Sequence, residues 1–209
     1  MKYAIALWLV IATSVMAAPR SQGTPGAFDF YVLSLAWSPT FCLTHPDNEQ
    51  CSGKGYGFVL HGLWPQYARG GWPASCDVQS RLTREEMDKG ATLFPTRALL
   101  KHEWAKHGTC SGLAPLVYLE KTDAALGVVV IPSQLQPFNT PASLPAREIE
   151  ALFRESNPRL GSHGLAVICK GNVLSEVRVC LTKDLAFAGC PRSVKSQCRD
   201  GDIRIPAQR

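Results

Sequence analysis

Two short segments of this sequence hold three of its five histidines. The first segment is FVLHGLWPQY, residues 58–67, and the second segment is KHEWAKHGTC, residues 101–110. Histidine titrates near pH ~6.5, so an imidazole can begin a reaction either as a proton donor or as a proton acceptor. Histidines in two separate segments therefore predict acid–base chemistry, provided that the fold brings the segments together.

The second segment has the spacing of a helix with ionisable groups concentrated on one side. Glu103 and His107 are four residues apart, so they share one face of a helix. His102 and Lys106 are also four apart, on the adjacent stripe, whereas Trp104 is expected to face the core. Two imidazoles, one ammonium and one carboxylate form a cationic surface. Such a surface suits an anion whose charge changes during reaction, such as a phosphodiester.

Two alternatives compete with acid–base chemistry in the second segment. One is a zinc site, but a zinc-binding helix of the zincin type places its histidines four residues apart. His102 and His107 are five apart, about 140° from alignment at 3.6 residues per turn, and Lys106 would repel a divalent cation. The sequence therefore predicts neither a metal site nor a cofactor. The other alternative is a solvated polar face without chemistry, which the repeated histidines and the first segment argue against.

The first segment places a histidine beside a rigid aromatic surface. His61 is expected to end a short strand at residues 57–60 and to enter a loop over residues 61–81, where reactive side chains are often displayed. Trp64 and Pro65 follow and offer a stacking surface. An isolated His or Trp is more often structural, so the assignment of His61 and Trp64 to a site depends on the second segment.

Length and composition indicate one globular domain. The 209 residues are 45% apolar and 19% charged, which excludes a disordered chain, a collagen-like repeat and a coiled coil. The mixed order of strands and helices predicts an α+β domain, with a central, mostly antiparallel sheet flanked by helices. The predicted strands cover residues 28–37, 57–60, 164–169 and 173–181, and the predicted helices cover residues 83–90, 96–107, 115–126 and 146–155.

Residues 1–17 have the pattern of a secretory signal peptide, in which Lys2 precedes an apolar stretch and then small residues. Cleavage after Ala17 would leave residues 18–209 as the mature domain, secreted or periplasmic and free of the membrane. Removal of Lys2 lowers the formal net charge from +5 to +4. The alternative is an uncleaved membrane anchor.

Export makes the eight cysteines candidates for four disulfides, because an even count in an oxidising compartment indicates cross-links. None of them lies in a CxxC pair, so a zinc knuckle or a thioredoxin-like motif has no support. Spacing alone leaves on the order of 100 connectivities open. The positive net charge allows a polyanionic partner without identifying one.

Taken together, the two segments resemble the paired signatures of the ribonuclease T2 family of secreted, disulfide-bonded, metal-independent endoribonucleases. The resemblance extends over most of the mature chain. It includes the early strand, the Trp37-Ser38-Pro39 sequence that follows, Cys42 and the four C-terminal cysteines. The sequence SLAWSPTFC, residues 34–42, is closer to bacterial members of the family than to plant members.

The resemblance implies a role for each polar residue of the two segments. His61 matches the histidine usually assigned as the general acid, and His107 matches the histidine usually assigned as the general base. Glu103, the third catalytic residue, and Lys106 match residues thought to stabilise the charged phosphorane. His102 matches a histidine that binds the phosphate.

The resemblance also bears on base recognition. Trp64 matches an aromatic residue that stacks on a nucleobase. Elsewhere the chain departs from the family pattern. Leu99 stands where many members have an aromatic residue, Ala36 stands where plant members commonly have Gln, and Gln66 stands where fungal members have Asp. The resemblance therefore implies neither a second base site nor a particular base preference.

The disulfide pairing is implied by the same resemblance. The expected pairs are Cys42–Cys51, Cys76–Cys110, Cys169–Cys198 and Cys180–Cys190. The second pair would tie the end of the catalytic helix to the loop that follows HGLWP.

The implied activity is cleavage of single-stranded RNA by transphosphorylation. The products would be 2′,3′-cyclic phosphate ends and then 3′-phosphates, with no metal ion or cofactor. RNA is the expected partner, with no obligate protein partner and a monomeric chain. The alternatives are a catalytically idle RNA-binding or inhibitory member of the same fold and a zinc-dependent hydrolase. The first is disfavoured because every polar residue of the two segments is present.

Overall fold

The computed structural model describes residues 23–136 and 140–208 of the chain, so the predicted signal peptide lies outside the described residues. The described part contains six strands and five α-helices. In chain order they are β1 (Phe30–Trp37), α1 (Ser38–Thr44), β2 (Phe58–Gln66), α2 (Arg84–Gly90), α3 (Arg97–Lys106), α4 (Pro115–Val128), β3 (Ala142–Pro145), α5 (Ala146–Ser156), β4 (Leu165–Lys170), β5 (Val173–Leu181) and β6 (Asp202–Ile205).

The strands form one sheet, and the predicted α+β class is confirmed. β1 lies between β2 and β5 and is antiparallel to both. β4 pairs antiparallel with β5, and β3 pairs antiparallel with β6. A parallel contact joins β5 to β6 through Val173 and Arg204, so the sheet is mixed although most of its pairs are antiparallel.

The central position of β1 explains its continuous apolar sequence. Every residue of β1 except Ala36 is buried, as expected for a strand covered on both faces. Leu33, Leu35 and Trp37 belong to the main core, whereas Val32 belongs to a smaller cluster on the opposite face. The strand therefore supports both the core and the side of the sheet on which Trp64 packs.

The helix signals in the sequence are confirmed for α2 and α3. Thr83 and Glu86 form a capping box at the start of α2, and Thr96 caps α3, so the starts predicted at residues 83 and 96 are correct. Three elements were not predicted: α1, β3 and β6. α1 begins directly where Ser38 and Pro39 end β1, because Pro fits the first turn of a helix, and β6 is too short to have a recognisable period.

Three boundaries in the sequence analysis were wrong. The loop predicted at residues 61–81 begins only after Gln66, because β2 continues through the whole HGLWPQ sequence. α4 continues past Gly127, which was expected to end it. The stretch between the predicted helices at 115–126 and 146–155, for which no strand was predicted, ends in the short strand β3.

The four disulfides of the structure are the four pairs that the resemblance implied. Cys76–Cys110 joins the loop after β2 to the turn after α3. Two hydrogen bonds accompany it: the Ser75 N–H donates to the Lys106 carbonyl at 2.8 Å, and the Cys76 N–H donates to Thr109 Oγ1 at 3.2 Å. These contacts fix the loop to the end of α3. In the described part of the chain, no helix is long and apolar enough to cross a membrane.

Candidate active site

A bulge in β2 carries His61. On the neighbouring strand β1, Leu35 pairs with Leu60 and Ser34 pairs with Gly62, so His61 is an extra residue between the two pairs. A bulge bends its strand and re-aims the side chain at the irregularity. His61 is therefore held inside a nine-residue strand, not at the strand end that the sequence predicted.

The helix α3 supplies the other polar side chains of the second segment. Glu103 faces inward and is only 1% exposed, and Trp104 is buried beside it, as predicted. His107 follows the last turn and is 5% exposed, with its N–H donating to the Glu103 carbonyl at 2.9 Å. His102 is exposed and Lys106 is half-buried. The predicted helical spacing thus brings all four groups to one end of α3.

A buried carboxylate joins the two segments. The Trp64 indole N–H donates to Glu103 Oε2 at 2.6 Å, and His61 Nε2 lies 3.7 Å from Glu103 Oε1. Gly62 permits this approach, because a Cβ atom there would collide with Glu103 Oε2 and with the Trp64 indole nitrogen. The glycine of the HGLW sequence is therefore required by the contact between β2 and α3.

A cavity of about 290 Å³ brings together every site residue that the two segments predicted. Its lining includes His61, Trp64, His102, Glu103, Lys106 and His107. Residues about forty positions apart in the sequence therefore share one solvent-accessible space, which is the condition that acid–base chemistry required.

A second cavity of about 370 Å³ shares His61 and His102 with the first. Ala36 and Leu99 line it, and these are two of the three positions at which the chain departs from the family pattern. His61 and His102 thus lie at the junction of two spaces, which suits a ligand that extends to both sides of the histidines.

Sequence analysis missed two charged residues of the site, Glu176 and Arg178. Glu176 Oε1 accepts a hydrogen bond from His61 Nδ1 at 2.9 Å, and Arg178 Nη2 lies 2.8 Å from Glu176 Oε2. The Arg178 guanidinium also lies over the Trp64 ring, 5.2 Å from its centroid. The sequence did contain a signal for this pair. Glu176 and Arg178 are two residues apart in a mostly apolar strand, so their side chains must lie on the same face of the sheet.

Trp72 is a further residue of the cavity that sequence analysis did not select. Its side chain is 54% exposed and lines the first cavity together with Gln66. Trp64 is more enclosed, with its ring 5.0 Å from that of His61 and 5.2 Å from that of His107. The stacking role of Trp64 stays a prediction, and Trp72 offers the more accessible aromatic surface.

The surroundings of His61 favour its protonated form. Burial lowers the pKa of His61, but the hydrogen bond and charge of Glu176, together with the charge of Glu103, outweigh burial and raise it above the ordinary value. The charge of Arg178 acts in the opposite direction. Glu176 stays ionised, since its contacts with His61 and Arg178 overcome burial and lower its pKa to about 2.

The surroundings of His107 favour its neutral form. Burial is the largest cause, and the charges of Lys106, His102 and His61 add to it, so the pKa of His107 falls to about 3. Its Nδ1 atom is buried without a hydrogen-bond partner within the described part of the protein. Burial also raises the pKa of Glu103, against the opposing influence of His61, Trp64 and Lys106.

The arrangement can therefore hold a proton on one imidazole and accept a proton on the other at the same pH. Pairs of titratable groups with pKa values pushed apart are typical of acid–base sites. Lys106 and Arg178 bring positive charge to the same cavity. Between residues 23 and 136 and between 140 and 208, no group of three or more His, Cys, Asp or Glu residues is arranged to hold a metal ion.

Comparison with known proteins connects this geometry to a family. The model of the ribonuclease T2 family matches residues 28–190. A ribonuclease of Aeromonas hydrophila is 46% identical over 119 residues, an alignment that spans 54% of this chain and 52% of that protein. The alignment thus covers about half the length of that relative.

Solved structures show the same similarity at the level of the fold. An RNase-related protein from Calystegia sepium has a TM-score of 0.68 and 26% identity, covering 87% of this chain and 97% of that chain. A crystal structure of RNase NT in complex with 5′-AMP has a TM-score of 0.67 and 25% identity, covering 86% of this chain and 98% of that chain. The fold described here is therefore shared over nearly the whole length of these structures.

Proposed function

The chain belongs to the ribonuclease T2 family, and we propose that it is an endoribonuclease that cleaves single-stranded RNA without a metal ion. The observation that carries this proposal is the pair of histidines at one cavity whose pKa values are shifted in opposite directions. His61 is the general acid and His107 is the general base. Each proton transfer of this kind typically contributes ~10²–10⁴-fold in rate.

RNA supplies its own nucleophile, the 2′-hydroxyl beside each phosphate. His107 takes the proton of that hydroxyl, and the 2′-oxygen attacks phosphorus to close a five-membered ring. His61 gives its proton to the departing 5′-oxygen as the bond to phosphorus breaks. Water then opens the 2′,3′-cyclic phosphate to a 3′-phosphate in a second step, with the two histidines in exchanged roles.

The remaining polar groups of the cavity balance the charge that builds on the phosphoryl oxygens. Lys106 supplies positive charge there, and the His102 ring lines the same cavity and can donate a hydrogen bond to a phosphoryl oxygen. Glu103 contributes as a buried carboxylate that faces His61 and helps to keep that imidazole protonated for transfer to the leaving group. The hydrogen bond from Trp64 keeps this carboxyl in place.

Base stacking is proposed on the tryptophans of the first cavity. Trp64 forms part of the inner wall, and the exposed Trp72 provides the face on which a base can enter. Stacking of this kind is worth ~1–3 kcal/mol per base and tolerates different bases.

Secretion is proposed together with this activity. The pattern of residues 1–17 and the four disulfides both suit an oxidising compartment outside the cytoplasm. The mature enzyme would comprise residues 18–209 and act on RNA as a monomer.

One experiment tests the activity and its mechanism together. Purified protein is incubated with single-stranded RNA, and with DNA of the same sequence, in excess EDTA, and early products are identified by mass spectrometry. We expect RNA cleavage alone, with 2′,3′-cyclic phosphate ends appearing first. Activity that is lost in EDTA and restored by zinc would contradict the metal-free mechanism. Absence of RNA cleavage under all conditions would favour the idle, RNA-binding alternative.

A further inference from the structure

Glu176 has no role in the mechanism described above, yet both of its carboxylate oxygens are engaged. Oε1 accepts the hydrogen bond from His61 Nδ1 at 2.9 Å. Oε2 accepts from the Ser34 hydroxyl at 3.1 Å and from Arg178 Nε at 2.9 Å. The side chain is only 12% exposed. Its orientation is therefore fixed by β1 and by β5 itself before any substrate binds.

We propose that Glu176 is the positioning residue of the general acid, holding the His61 ring so that Nδ1 faces the carboxylate and Nε2 faces the scissile bond. This proposal rests on the proposed function. The proton that reaches the 5′-oxygen leaves Nε2, while Nδ1 keeps its own proton in the hydrogen bond to Glu176. Glu176 remains ionised throughout and touches neither the substrate nor the reacting atoms.

The assignment of the two ring nitrogens follows from the partners. Glu176 has its pKa lowered to about 2, so it can only accept a hydrogen bond and Nδ1 must be the donor. Nε2 is then the atom that loses or gains a proton. The bulge in β2 fixes where the His61 backbone lies, but a ring on that backbone can still rotate. Glu176 removes that freedom, as a carboxylate commonly does for a reactive histidine.

The charged neighbours of His61 come from two elements. β5 brings Glu176 and Arg178, and α3 brings Glu103, with His102 and His107 close enough to feel the charge of His61. Of the two carboxylates, Glu176 makes the hydrogen bond, whereas Glu103 lies 3.7 Å from the ring. Glu176 is thus the group whose removal should change His61 most.

Glu176→Gln is the decisive substitution, because the neighbours dictate how the amide must turn. Arg178 and Ser34 donate to the second oxygen position, so the amide oxygen is held there and the NH₂ group faces His61. An NH₂ group requires Nδ1 to accept, which favours the neutral ring. We therefore expect the pKa of His61, measured by NMR titration without substrate, to fall by about one unit or more.

Two substrates separate a defect in proton donation from a general loss of structure. A dinucleoside monophosphate needs an acid to protonate its leaving group, whereas a nucleoside 3′-(4-nitrophenyl phosphate) has a leaving group that departs unprotonated. Glu176→Gln should lower kcat on the dinucleotide by about 10²-fold and on the nitrophenyl ester by less than about fivefold. Glu150→Gln removes the same charge from α5, outside both cavities, and should change neither rate.

Equal losses on both substrates, or an unchanged pKa of His61, would overturn the proposal. If Glu176→Gln does not fold, Glu176→Asp keeps the charge but shortens the reach. It should give a smaller loss on the dinucleotide and none on the nitrophenyl ester, and equal losses would again reject the proposal. If the wild-type protein cleaves neither substrate, the proposed function fails, while the NMR titration still decides whether Glu176 controls His61.

Discussion

His61 and His107 line the same cavity but lie in opposite electrostatic surroundings. His61 is on a strand that faces the carboxylates of Glu176 and Glu103, and its pKa is raised. His107 is at the end of a helix beside Lys106, in a more buried position, and its pKa is lowered to about 3. Both side chains are imidazoles with the same intrinsic affinity for a proton. The difference teaches that the neighbours of each imidazole, and not its intrinsic chemistry, set the direction in which its pKa is shifted.

The comparison also explains why the site uses two kinds of element. An antiparallel sheet can bring side chains from sequence-distant strands next to each other, and this is how Glu176 on β5 meets His61 on β2 across β1. A helix instead brings together residues within one turn. The helix therefore concentrates cations around His107, whereas the sheet supplies a carboxylate to His61.

The largest expected effect is the loss of either histidine. His61→Ala and His107→Ala should each lower kcat on RNA by about 10²–10⁴-fold, because each removes one proton transfer. The double variant should be little worse than the weaker single variant, since the two residues act as a unit. If the loss in the double variant equals the product of the two single losses, the histidines act independently. Circular dichroism checks that each variant is folded.

The second prediction concerns the pH dependence of stability, to which the two histidines should contribute in opposite directions and in different pH ranges. His107 is neutral in the folded state down to about pH 3, whereas in the unfolded chain it takes up a proton near pH ~6.5. Stability should therefore fall as the pH drops through this window. The loss attributable to His107 should be roughly 2–3 kcal/mol between pH ~6.5 and ~4.5.

Urea unfolding of the wild type and of two variants measures this difference. His107→Gln should reduce the loss of stability on acidification. His61 has a raised folded pKa, so the stability it contributes is present below pH ~6.5 and is lost as the pH rises through the folded value. His61→Gln should therefore leave the loss of stability below pH ~6.5 nearly unchanged and reduce the loss that occurs as the pH rises above that value. The same change of slope in both variants would contradict the opposite surroundings.

The third prediction concerns the hydrogen bond between Trp64 on β2 and Glu103 on α3, which joins the two segments of the site. Trp64→Phe removes the indole N–H that donates to Glu103 Oε2 and leaves a buried carboxyl oxygen without that partner. An unsatisfied buried group of this kind costs ~1–3 kcal/mol of folding stability. We expect kcat to fall by about tenfold as well, because Glu103 loses the hydrogen bond that keeps it in place. Trp72→Phe keeps an aromatic face in the same cavity and should leave kcat nearly unchanged. If Trp64→Phe raises KM and leaves kcat unchanged, the result would favour a stacking role for Trp64 instead.

The smallest expected effect comes from removing the charge of Lys106, which lies beside His107 and lowers its pKa. Lys106→Gln should raise the pKa of His107 and move the acidic limb of the pH–rate profile to higher pH by about half a unit to one unit. The alkaline limb, which reports the loss of the proton on His61, should stay in place. Lys101→Gln removes a charge from the same helix outside both cavities and is the control. An unmoved acidic limb would show that the charge of Lys106 does not lower the pKa of His107.

Much of the site could be predicted because it is local in the sequence. The spacing of Glu103 and His107 places them on one helix, Thr96 marks the start of that helix, and the resemblance implied the disulfide that ties its end to the loop after β2. The class of the fold followed from the order of apolar segments. These features depend on residues a few positions apart, or on one matched pattern, so no tertiary structure was needed.

The tertiary structure alone decided the opposite surroundings of the two histidines, which raise the pKa of His61 and lower that of His107. His61 was expected at a strand end, but a one-residue bulge within β2 determines its direction, and a bulge depends on the register of two paired strands. Glu176 is 115 residues away in the sequence from the ring that it contacts. A pKa depends on burial and on charges within a few ångströms, and both are set by packing. The sequence named the two imidazoles, and the fold gave them opposite surroundings.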